Sequence, residues 1–296
     1  MDNLNIVIII PYRGLGDLIF HVPLLKGINS YFKSKILILT NSSNKGKVLL
    51  KKLNFINRVE YLDFDRQQTI KNSWKLYKKL KSLNPDLCIL TASSKRLVLP
   101  VIFSNSKKKI IFKKNNVKDI SKYIFDQSLI NFRYIKFLKN YDLNFPKKKF
   151  VSNNIFINID SHHNHNNWNE KYFIELIKKL QKNKKINKIY INFSPKNKKM
   201  FKVILNFFKK SVDIIFTHNY HFNKIIDAIN NCKFIIGNES GPNCIGAALG
   251  KKVLSLYNPI YTPYISSKII NNKNVYFNTE KNSYKLIIKK IITLIK

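Results

Sequence analysis

Acidic residues are scarce in this sequence. Its 296 residues include 16 Asp and Glu against 54 Lys and Arg, which gives a formal net charge of +38. A field of that sign attracts nucleic acid or an anionic membrane surface. Arginine, which dominates base readout, occurs only five times, so we expect no specific nucleic-acid binding. Two explanations of the charge stay open: a compositional bias toward Lys, Ile and Asn, and an attraction to an anionic inner membrane surface.

Cysteines and long apolar runs are also scarce. Cys88, Cys232 and Cys244 have no ligand spacing, which argues against disulfides and structural zinc. No apolar run approaches the roughly 18 residues of a membrane span, and residues 6–10 are too short for a signal peptide. We therefore expect a cytoplasmic protein, at most peripheral at the inner face of the cell membrane. With 45% hydrophobic residues, the chain can form two domains of about 150 residues each.

Predicted strands and helices alternate in both halves of the chain. The predicted strands are 5–11, 35–40, 58–62, 86–91, 109–113, 154–159, 188–193, 212–216, 233–236 and 252–257. The predicted helices are 17–32, 44–54, 67–83, 94–103, 119–139, 169–182, 197–210, 222–231, 241–250 and 281–295. This order predicts two doubly wound parallel sheets. Pro146 and a run of Lys interrupt it at 140–153, which predicts a linker between a domain of residues 1–145 and one of residues 150–296.

The most informative segment is 235–250. Its apolar start predicts a buried strand, Glu239 and Ser240 follow in a polar loop, and Pro242 suits the first turn of a helix. A helix N-terminus after such a loop binds phosphate and other anions. An ordinary strand-to-helix crossover explains the same pattern without a ligand. The lack of a bulky residue between Ser240 and the helix favours the anion site.

A second polar loop, residues 12–17, follows the first predicted strand. Such a loop lies at the carboxyl ends of the strands, where α/β sheets bind their ligands. On the residues alone, a helix N-cap explains Asp17 best. Gly14 and Gly16 do not complete a dinucleotide fingerprint, because Ile19 stands where the third Gly belongs.

Three histidines, His162, His163 and His165, invite a metal hypothesis. Neighbouring loop residues do not converge as ligands without further groups, and no Cys or acidic cluster adjoins them. We therefore predict no metal site.

The two polar loops together resemble glycosyltransferase family 9, the bacterial heptosyltransferase family. Residues 239–242 (Glu-Ser-Gly-Pro) and 247–250 (Ala-Ala-Leu-Gly) match its C-terminal signature, with Glu239 in place of Asp and Cys244 in place of His. Gly16, Asp17 and residues 23–25 (Pro-Leu-Leu) match its N-terminal motif. The resemblance implies a GT-B-like fold, with two Rossmann-like parallel-sheet domains facing across a cleft. It also implies that the last helix packs back on the N-terminal domain.

The resemblance also implies roles for individual residues. Asp17 would be the catalytic base, and Arg13, Gly14 and Gly16 would belong to the loop on the acceptor side. The residues implied for donor or nucleotide binding are Glu239, Ser240, Gly241, Pro242, Asn243, Asn166 and Trp168. Asn166 stands where the family has a Lys that contacts donor phosphate. Phosphate contacts would therefore come from elsewhere, including the helix N-terminus.

The implied activity is an inverting, metal-independent glycosyl transfer without a cofactor. A heptose or related sugar would move from a nucleotide-diphosphate donor to a lipopolysaccharide or other surface glycan acceptor. Two alternatives stay open. The Asn166 and Cys244 departures favour a non-catalytic member of the fold that binds nucleotide sugar or acidic glycan. A nucleotide-sugar epimerase of similar fold is the other alternative.

Overall fold

The chain divides into two compact units, Met1–Asn144 and Phe145–Lys296. The computed structural model describes residues 4–62, 69–113, 120–136, 138–145, 152–159, 161, 168–193, 198–218, 220–260 and 265–295. Each unit contains one sheet with parallel strands only. The predicted fold class, two parallel-sheet α/β domains, is confirmed.

The first unit alternates strands and helices. Its described elements are β1 (Ile6–Ile10), α1 (Leu15–Phe20), α2 (Val22–Phe32), β2 (Ile36–Thr40), α3 (Gly46–Leu50), β3 (Ile56–Tyr61), α4 (Thr69–Leu83), β4 (Leu87–Leu90), α5 (Lys95–Ile102), β5 (Lys108–Ile111) and α6 (Ile120–Asn131). A short 3₁₀ turn, Ser42–Asn44, precedes α3. The sheet order is β3-β2-β1-β4-β5. All five residues of the central strand β1 are buried, as expected for a parallel strand covered on both faces.

The helix predicted at 17–32 is divided in the structure. α1 ends at Phe20 and α2 begins at Val22, with His21 between them. The N–H of His21 turns back to the carbonyl of Leu18 at 3.1 Å. The reason is Pro23, which has no N–H to continue the first helix and restricts the residue before it.

The second unit has the same alternation. Its described elements are β6 (Ile155–Asn158), α7 (Glu170–Gln181), β7 (Ile189–Asn192), α8 (Lys198–Phe208), β8 (Ile214–Phe216), α9 (Phe222–Asn230), β9 (Phe234–Asn238), α10 (Gly241–Ala248), β10 (Lys252–Tyr257), α11 (Ser266–Ile270), β11 (Val275–Asn278) and α12 (Tyr284–Ile295). The sheet order is β11-β10-β9-β6-β7-β8. Two of these elements, α11 and β11, have no counterpart among the predicted helices and strands.

The last helix, α12, packs into the core of its own unit. Ile287, Ile288 and Ile291 are fully buried there. Tyr284 stacks on Tyr172 of α7, with ring centroids 4.2 Å apart. These contacts lie within the second unit, and the implied packing of this helix on the N-terminal domain stays a prediction.

The composition led us to expect no membrane-spanning helix and no disulfide. In the part of the chain that the structure describes, no helix is long and apolar enough to cross a membrane. Cys88, Cys232 and Cys244 are buried, and no disulfide joins them.

Candidate functional site

Asp17 lies in the first turn of α1, directly after the loop that leaves β1. The helix begins after Gly14, and the N–H of Gly14 donates a hydrogen bond to the Asp17 carboxylate. A Cβ atom at position 14 would lie 2.6 Å from Oδ2 of Asp17, so this arrangement requires glycine. Burial raises the pKa of Asp17, and the Gly14 hydrogen bond opposes that rise. Asp17 therefore accepts a hydrogen bond from the N-cap residue of α1, as the acidic residue of a capping box does. Its raised pKa means that the carboxyl group binds a proton more tightly than usual.

His21 fixes the backbone of Asp17. Its Nδ1 lies 2.7 Å from the carbonyl oxygen of Asp17, and its Nε2 lies 3.0 Å from Oγ1 of Thr91. A carbonyl can only accept, so Nδ1 carries the proton. Burial lowers the pKa of His21 to about 4, so the ring is neutral at pH 7. Nε2 lies within hydrogen-bond distance of the Thr91 hydroxyl, which is also 3.1 Å from the carbonyl oxygen of Ile9. His21 therefore ties the start of α1 to the end of β4.

The 3₁₀ turn after β2 holds the loop between β1 and α1. Oγ of Ser43 donates to the carbonyl of Arg13 at 3.0 Å, and Nδ2 of Asn44 donates to the carbonyl of Tyr12 at 2.9 Å. The side chain of Arg13 is exposed. Arg13, Gly14, Gly16 and Asp17, the residues predicted for the acceptor side, are thus together at the carboxyl edge of the first sheet.

A directed chain of hydrogen bonds crosses the carboxyl ends of four neighbouring strands in the second unit, β8, β7, β6 and β9. Thr217 donates to Oδ1 of Asn192 at 2.9 Å, Nδ2 of Asn192 donates to Oδ1 of Asn158 at 2.9 Å, and Nδ2 of Asn158 donates to Oγ of Ser240 at 2.7 Å. Nδ2 of Asn158 also donates to the carbonyl of Asn238, which fixes the orientation of the Asn158 amide. Each member of the chain therefore donates toward Ser240.

Ser240 stands at the end of this chain and at the start of α10. Its Oγ accepts from Asn158, so its own proton is directed elsewhere and is available to donate. α10 begins at Gly241, after Ser240 as its N-cap, with Pro242 in the first turn. The N–H groups of Gly241 and Asn243 have no partner within the helix, because the first turn lacks preceding carbonyls. A hydroxyl donor and a helix N-terminus thus meet at one place, which suits an anion.

The side chain of Glu239 is engaged within the second unit. Oε1 accepts from the N–H of Ser267 at 2.8 Å and Oε2 accepts from Oγ of Ser267 at 2.7 Å. Burial raises the pKa of Glu239, and hydrogen bonds from Ser255 and Ser267 oppose the rise. Glu239 therefore braces the end of β9 against the start of α11. Its predicted contact with donor hydroxyls stays a prediction.

Asn243 also braces the sheet. Its Nδ2 donates to the carbonyl of Gly237 at 3.2 Å and to Oγ of Ser255 at 2.9 Å. Its Oδ1 is buried and accepts no hydrogen bond from the described residues. The whole residue is buried, and its predicted part in donor binding stays a prediction.

Trp168 is a core residue. It is 5% exposed, and its ring meets Phe173 edge to face at a centroid distance of 5.1 Å. Its backbone N–H donates to Oδ1 of Asn238 at 3.0 Å. A ring so enclosed cannot serve as a stacking platform without a rearrangement, and its predicted part in donor binding stays a prediction.

The other predicted residues of this loop, Asn166 and the three histidines at 162, 163 and 165, lie outside the described residues. Among the residues that are described, no group of three or more His, Cys, Asp or Glu side chains is placed to hold a metal ion.

Sequence reasoning missed Asn158, Asn192 and Thr217. Asn158 and Asn192 are the last residues of β6 and β7, and Thr217 directly follows β8. No local motif marks them. The signal that could have found them is their common position, since polar residues at the carboxyl ends of parallel strands line the ligand edge of the sheet.

Residues 132–292, more than half of the chain, match the model of glycosyltransferase family 9 (heptosyltransferase). No curated protein matches the sequence. Among solved structures, the fold is similar to a family 9 glycosyl transferase from Veillonella parvula, with a TM-score of 0.75 at 16% identity over 99% of this chain and 97% of that one. It is also similar to E. coli ADP-heptose lipopolysaccharide heptosyltransferase II, with a TM-score of 0.72 at 14% identity over 98% of each chain.

A third similar structure is E. coli heptosyltransferase WaaC with ADP, with a TM-score of 0.72 at 13% identity over 98% of this chain and 99% of that one. At these identities the likeness concerns the fold. The range matched by the family model includes Glu239 and Ser240 and begins after Asp17.

Proposed function

The chain belongs to glycosyltransferase family 9, and we propose that it transfers a heptose or related sugar from a nucleotide-diphosphate donor to a lipopolysaccharide or other surface glycan. The observation that carries this proposal is Ser240. Its hydroxyl is oriented by Asn158 and stands at the start of α10, where a diphosphate would find donors and a favourable dipole.

The donor half of the mechanism rests on the leaving group. When the bond to the sugar breaks, negative charge gathers on the nucleoside diphosphate. The N–H groups of Gly241 and Asn243, the dipole of α10 and the hydroxyl of Ser240 would stabilise that charge. Removing one preorganised donor of this kind typically slows a reaction by about 10²–10³-fold. Because these donors and the helix dipole would stabilise the phosphate charge, the proposed reaction uses no metal and no cofactor.

The acceptor half rests on Asp17. The attacking hydroxyl must lose its proton, and one carboxylate base is enough for direct displacement with inversion. Burial raises the pKa of Asp17, which makes the ionised carboxylate a stronger proton acceptor. A hydrolase would instead need paired carboxyl groups.

The proposed partners follow from this reaction. They are a nucleotide sugar, a glycolipid or glycan acceptor, and the anionic inner surface of the cell membrane where such an acceptor is anchored. We propose a cytoplasmic protein that is peripheral at that surface and does not bind specific nucleic acids.

A thermal-shift experiment tests the donor site. Nucleoside diphosphates and nucleotide sugars should raise the melting temperature of the parent protein, since a ligand stabilises as the logarithm of its concentration over Kd. Ser240→Ala should lose much of that rise. Ser211→Ala is a matched control, because Ser211 lies before β8, at the amino ends of the strands of the same sheet, whereas Ser240 lies at their carboxyl ends. Adding a chelator should change nothing, and loss of binding on chelation would overturn the metal-free mechanism.

Transfer assays then separate the alternatives. Sugar transferred to a glycolipid acceptor supports the proposal. Tight binding of nucleotide sugar without turnover on the lipopolysaccharide-type acceptors would favour the non-catalytic alternative. Conversion of the donor to its epimer without an acceptor would favour the epimerase.

A further inference from the structure

Helix α4 exposes a stripe of large apolar and cationic side chains. Ile70, Trp74 and Lys78 follow one another at four-residue spacing and therefore share one face. Ile70 is 86% exposed and Trp74 is 56% exposed. Nζ of Lys78 lies 5.2 Å from the centroid of the Trp74 ring. The surfaces of soluble proteins rarely expose aromatic and aliphatic side chains of this size next to one another.

Helix α5 exposes a similar stripe. Lys95, Leu99 and Phe103 also follow at four-residue spacing, with Leu99 52% and Phe103 69% exposed. Oγ of Ser73 on α4 donates to the carbonyl of Arg96 on α5 at 2.7 Å, which joins the two helices side by side.

The inner faces of both helices share one core, with Leu76 and Leu80 from α4 and Leu97 and Val101 from α5. The two stripes therefore lie on one outer surface of the first unit. We call it the α4–α5 surface.

The charge of the α4–α5 surface has one sign. The sequences of α4 and α5 contain seven Lys and Arg residues and no Asp or Glu. One of these cations, Lys79, forms an ion pair with Glu60 at 2.6 Å. Cations whose long stems lie beside exposed apolar side chains are typical of surfaces that insert shallowly into a bilayer of anionic lipid.

We propose that the α4–α5 surface docks the protein on an anionic membrane. The aromatic and aliphatic side chains would enter the headgroup region, and the lysines would bind lipid phosphates. Nucleic acid fits this surface less well, because exposed Ile70 and Leu99 offer nothing to a phosphate backbone and arginine is nearly absent.

The surface also has a position suited to the proposed function, on which this inference rests. α5 begins directly after the loop that contains Thr91, and Thr91 contacts His21 beside Asp17. Docking would therefore hold the bilayer close to the edge of the first sheet that carries Asp17, where a membrane-anchored acceptor must arrive.

Vesicle binding by the full-length protein tests the inference. The parent should bind vesicles of phosphatidylcholine containing phosphatidylglycerol, and should bind vesicles of phosphatidylcholine alone much more weakly. The double variant Trp74→Ser with Phe103→Ser should bind the anionic vesicles at least about tenfold more weakly, because each side chain contributes buried apolar area. Phe207→Ser is the matched control: Phe207 is 57% exposed with Nζ of Lys178 5.0 Å from its ring centroid, but it lies in the second unit.

Fluorescence adds a readout local to this surface. The chain has two tryptophans, so Trp168→Phe leaves Trp74 as the only tryptophan, which can be excited selectively. Its emission should shift to shorter wavelength when anionic vesicles are added. An unchanged emission, or equal binding by the parent and the double variant, would overturn the inference. So would a double variant that loses nucleic-acid binding and keeps vesicle binding.

Activity assays distinguish failure of this inference from failure of the proposed function. With a detergent-solubilised acceptor, the double variant should transfer sugar at the parent rate, and with the acceptor in vesicles it should be slower. Transfer by a parent that does not bind vesicles would refute the docking surface alone. Vesicle binding through Trp74 by a parent that never transfers sugar would support the surface and refute the proposed function.

Discussion

His21 and Asp17 are joined side chain to main chain: Nδ1 of His21 donates to the carbonyl oxygen of Asp17 at 2.7 Å. That carbonyl would normally bind the N–H four residues later in a helix, which belongs to His21 itself. Because Pro23 ends the first helix early, the N–H of His21 binds Leu18 and the imidazole replaces it at Asp17. The position of the proposed base therefore depends on a histidine ring.

The first prediction concerns the stability of the protein against pH. The pKa of His21 is lowered from about 6.5 to about 4 in the folded state, so the unfolded state binds more protons between these values. The stability from the neutral ring is complete above pH 6.5 and is lost as the pH falls toward 4. A shift of this size corresponds to about 3 kcal/mol.

His21→Asn tests it, because the Asn amide can still donate to the Asp17 carbonyl but does not titrate. The free energy of unfolding in urea should fall less between pH 7 and pH 5 in His21→Asn than in the parent. Parallel curves for the two proteins would contradict the prediction.

The second prediction concerns turnover. Asp17→Asn keeps the size of the side chain and removes its basicity, so the transfer rate should fall by about 10²–10⁴-fold. Donor affinity should hardly change, because the proposed donor contacts are in the second unit. Both quantities should be measured on the same preparations.

Asp86→Asn is the control for this change, since Asp86 lies before β4 at the opposite edge of the first sheet and pairs with Lys107 at 2.7 Å. Transfer by Asp17→Asn at the parent rate would exclude Asp17 as the base.

The third prediction concerns Glu239, where the family usually has Asp. Glu239→Asp shortens the side chain by one methylene and withdraws the carboxylate from the N–H and hydroxyl of Ser267. Leaving these buried donors unpaired should lower the free energy of unfolding by about 1–3 kcal/mol. Glu175→Asp, at an exposed ion pair with Lys179, should change it by less than about 1 kcal/mol. Equal losses in the two variants would show that the contact with Ser267 contributes nothing.

The fourth prediction concerns Gly237 in β9. Its φ of +143° is one that L side chains rarely adopt, and a Cβ there would overlap the carbonyl oxygen of Asn158. Gly237→Ala should therefore lower the free energy of unfolding by more than about 4 kcal/mol, or prevent folding. Gly250 has a φ of +72° with no atom within 4 Å of an added Cβ. Gly250→Ala should cost only about 1–2 kcal/mol, as measured by urea unfolding.

Much of the fold could be predicted from the sequence because each strand is an apolar run followed by a helix with apolar periodicity. The same periodicity misled at residues 17–32, where the apolar spacing continues across His21 although Pro23 interrupts the backbone hydrogen bonds. α11 and β11 are five and four residues long, too short for a periodic signal. An apolar stripe does not specify its partner either, so the stacking of Tyr284 in α12 on Tyr172 in α7 could not be predicted.

The site could be predicted only where a local motif marks it. Asp17 and Ser240 belong to loops that directly follow strands, so their position at the carboxyl edge of a sheet could be predicted. The hydrogen bonds between Glu239 and Ser267 could not be predicted, because the helix that brings Ser267 close, α11, was not predicted. The hydrogen-bond chain from Thr217 likewise depends on the order of strands in the sheet.

The direction of that chain has a consequence for ligand choice. Every member from Thr217 to Ser240 is an amide or a hydroxyl, so none gains or loses charge near neutral pH. All of them donate toward Ser240, and its proton therefore meets whatever lies next. An incoming group that can only donate, such as an ammonium, cannot accept this proton. Because Asn158 occupies one of the two lone pairs of the Ser240 oxygen, this end of the hydrogen-bond chain favours a hydrogen-bond acceptor as its next partner, without a charged side chain among its members.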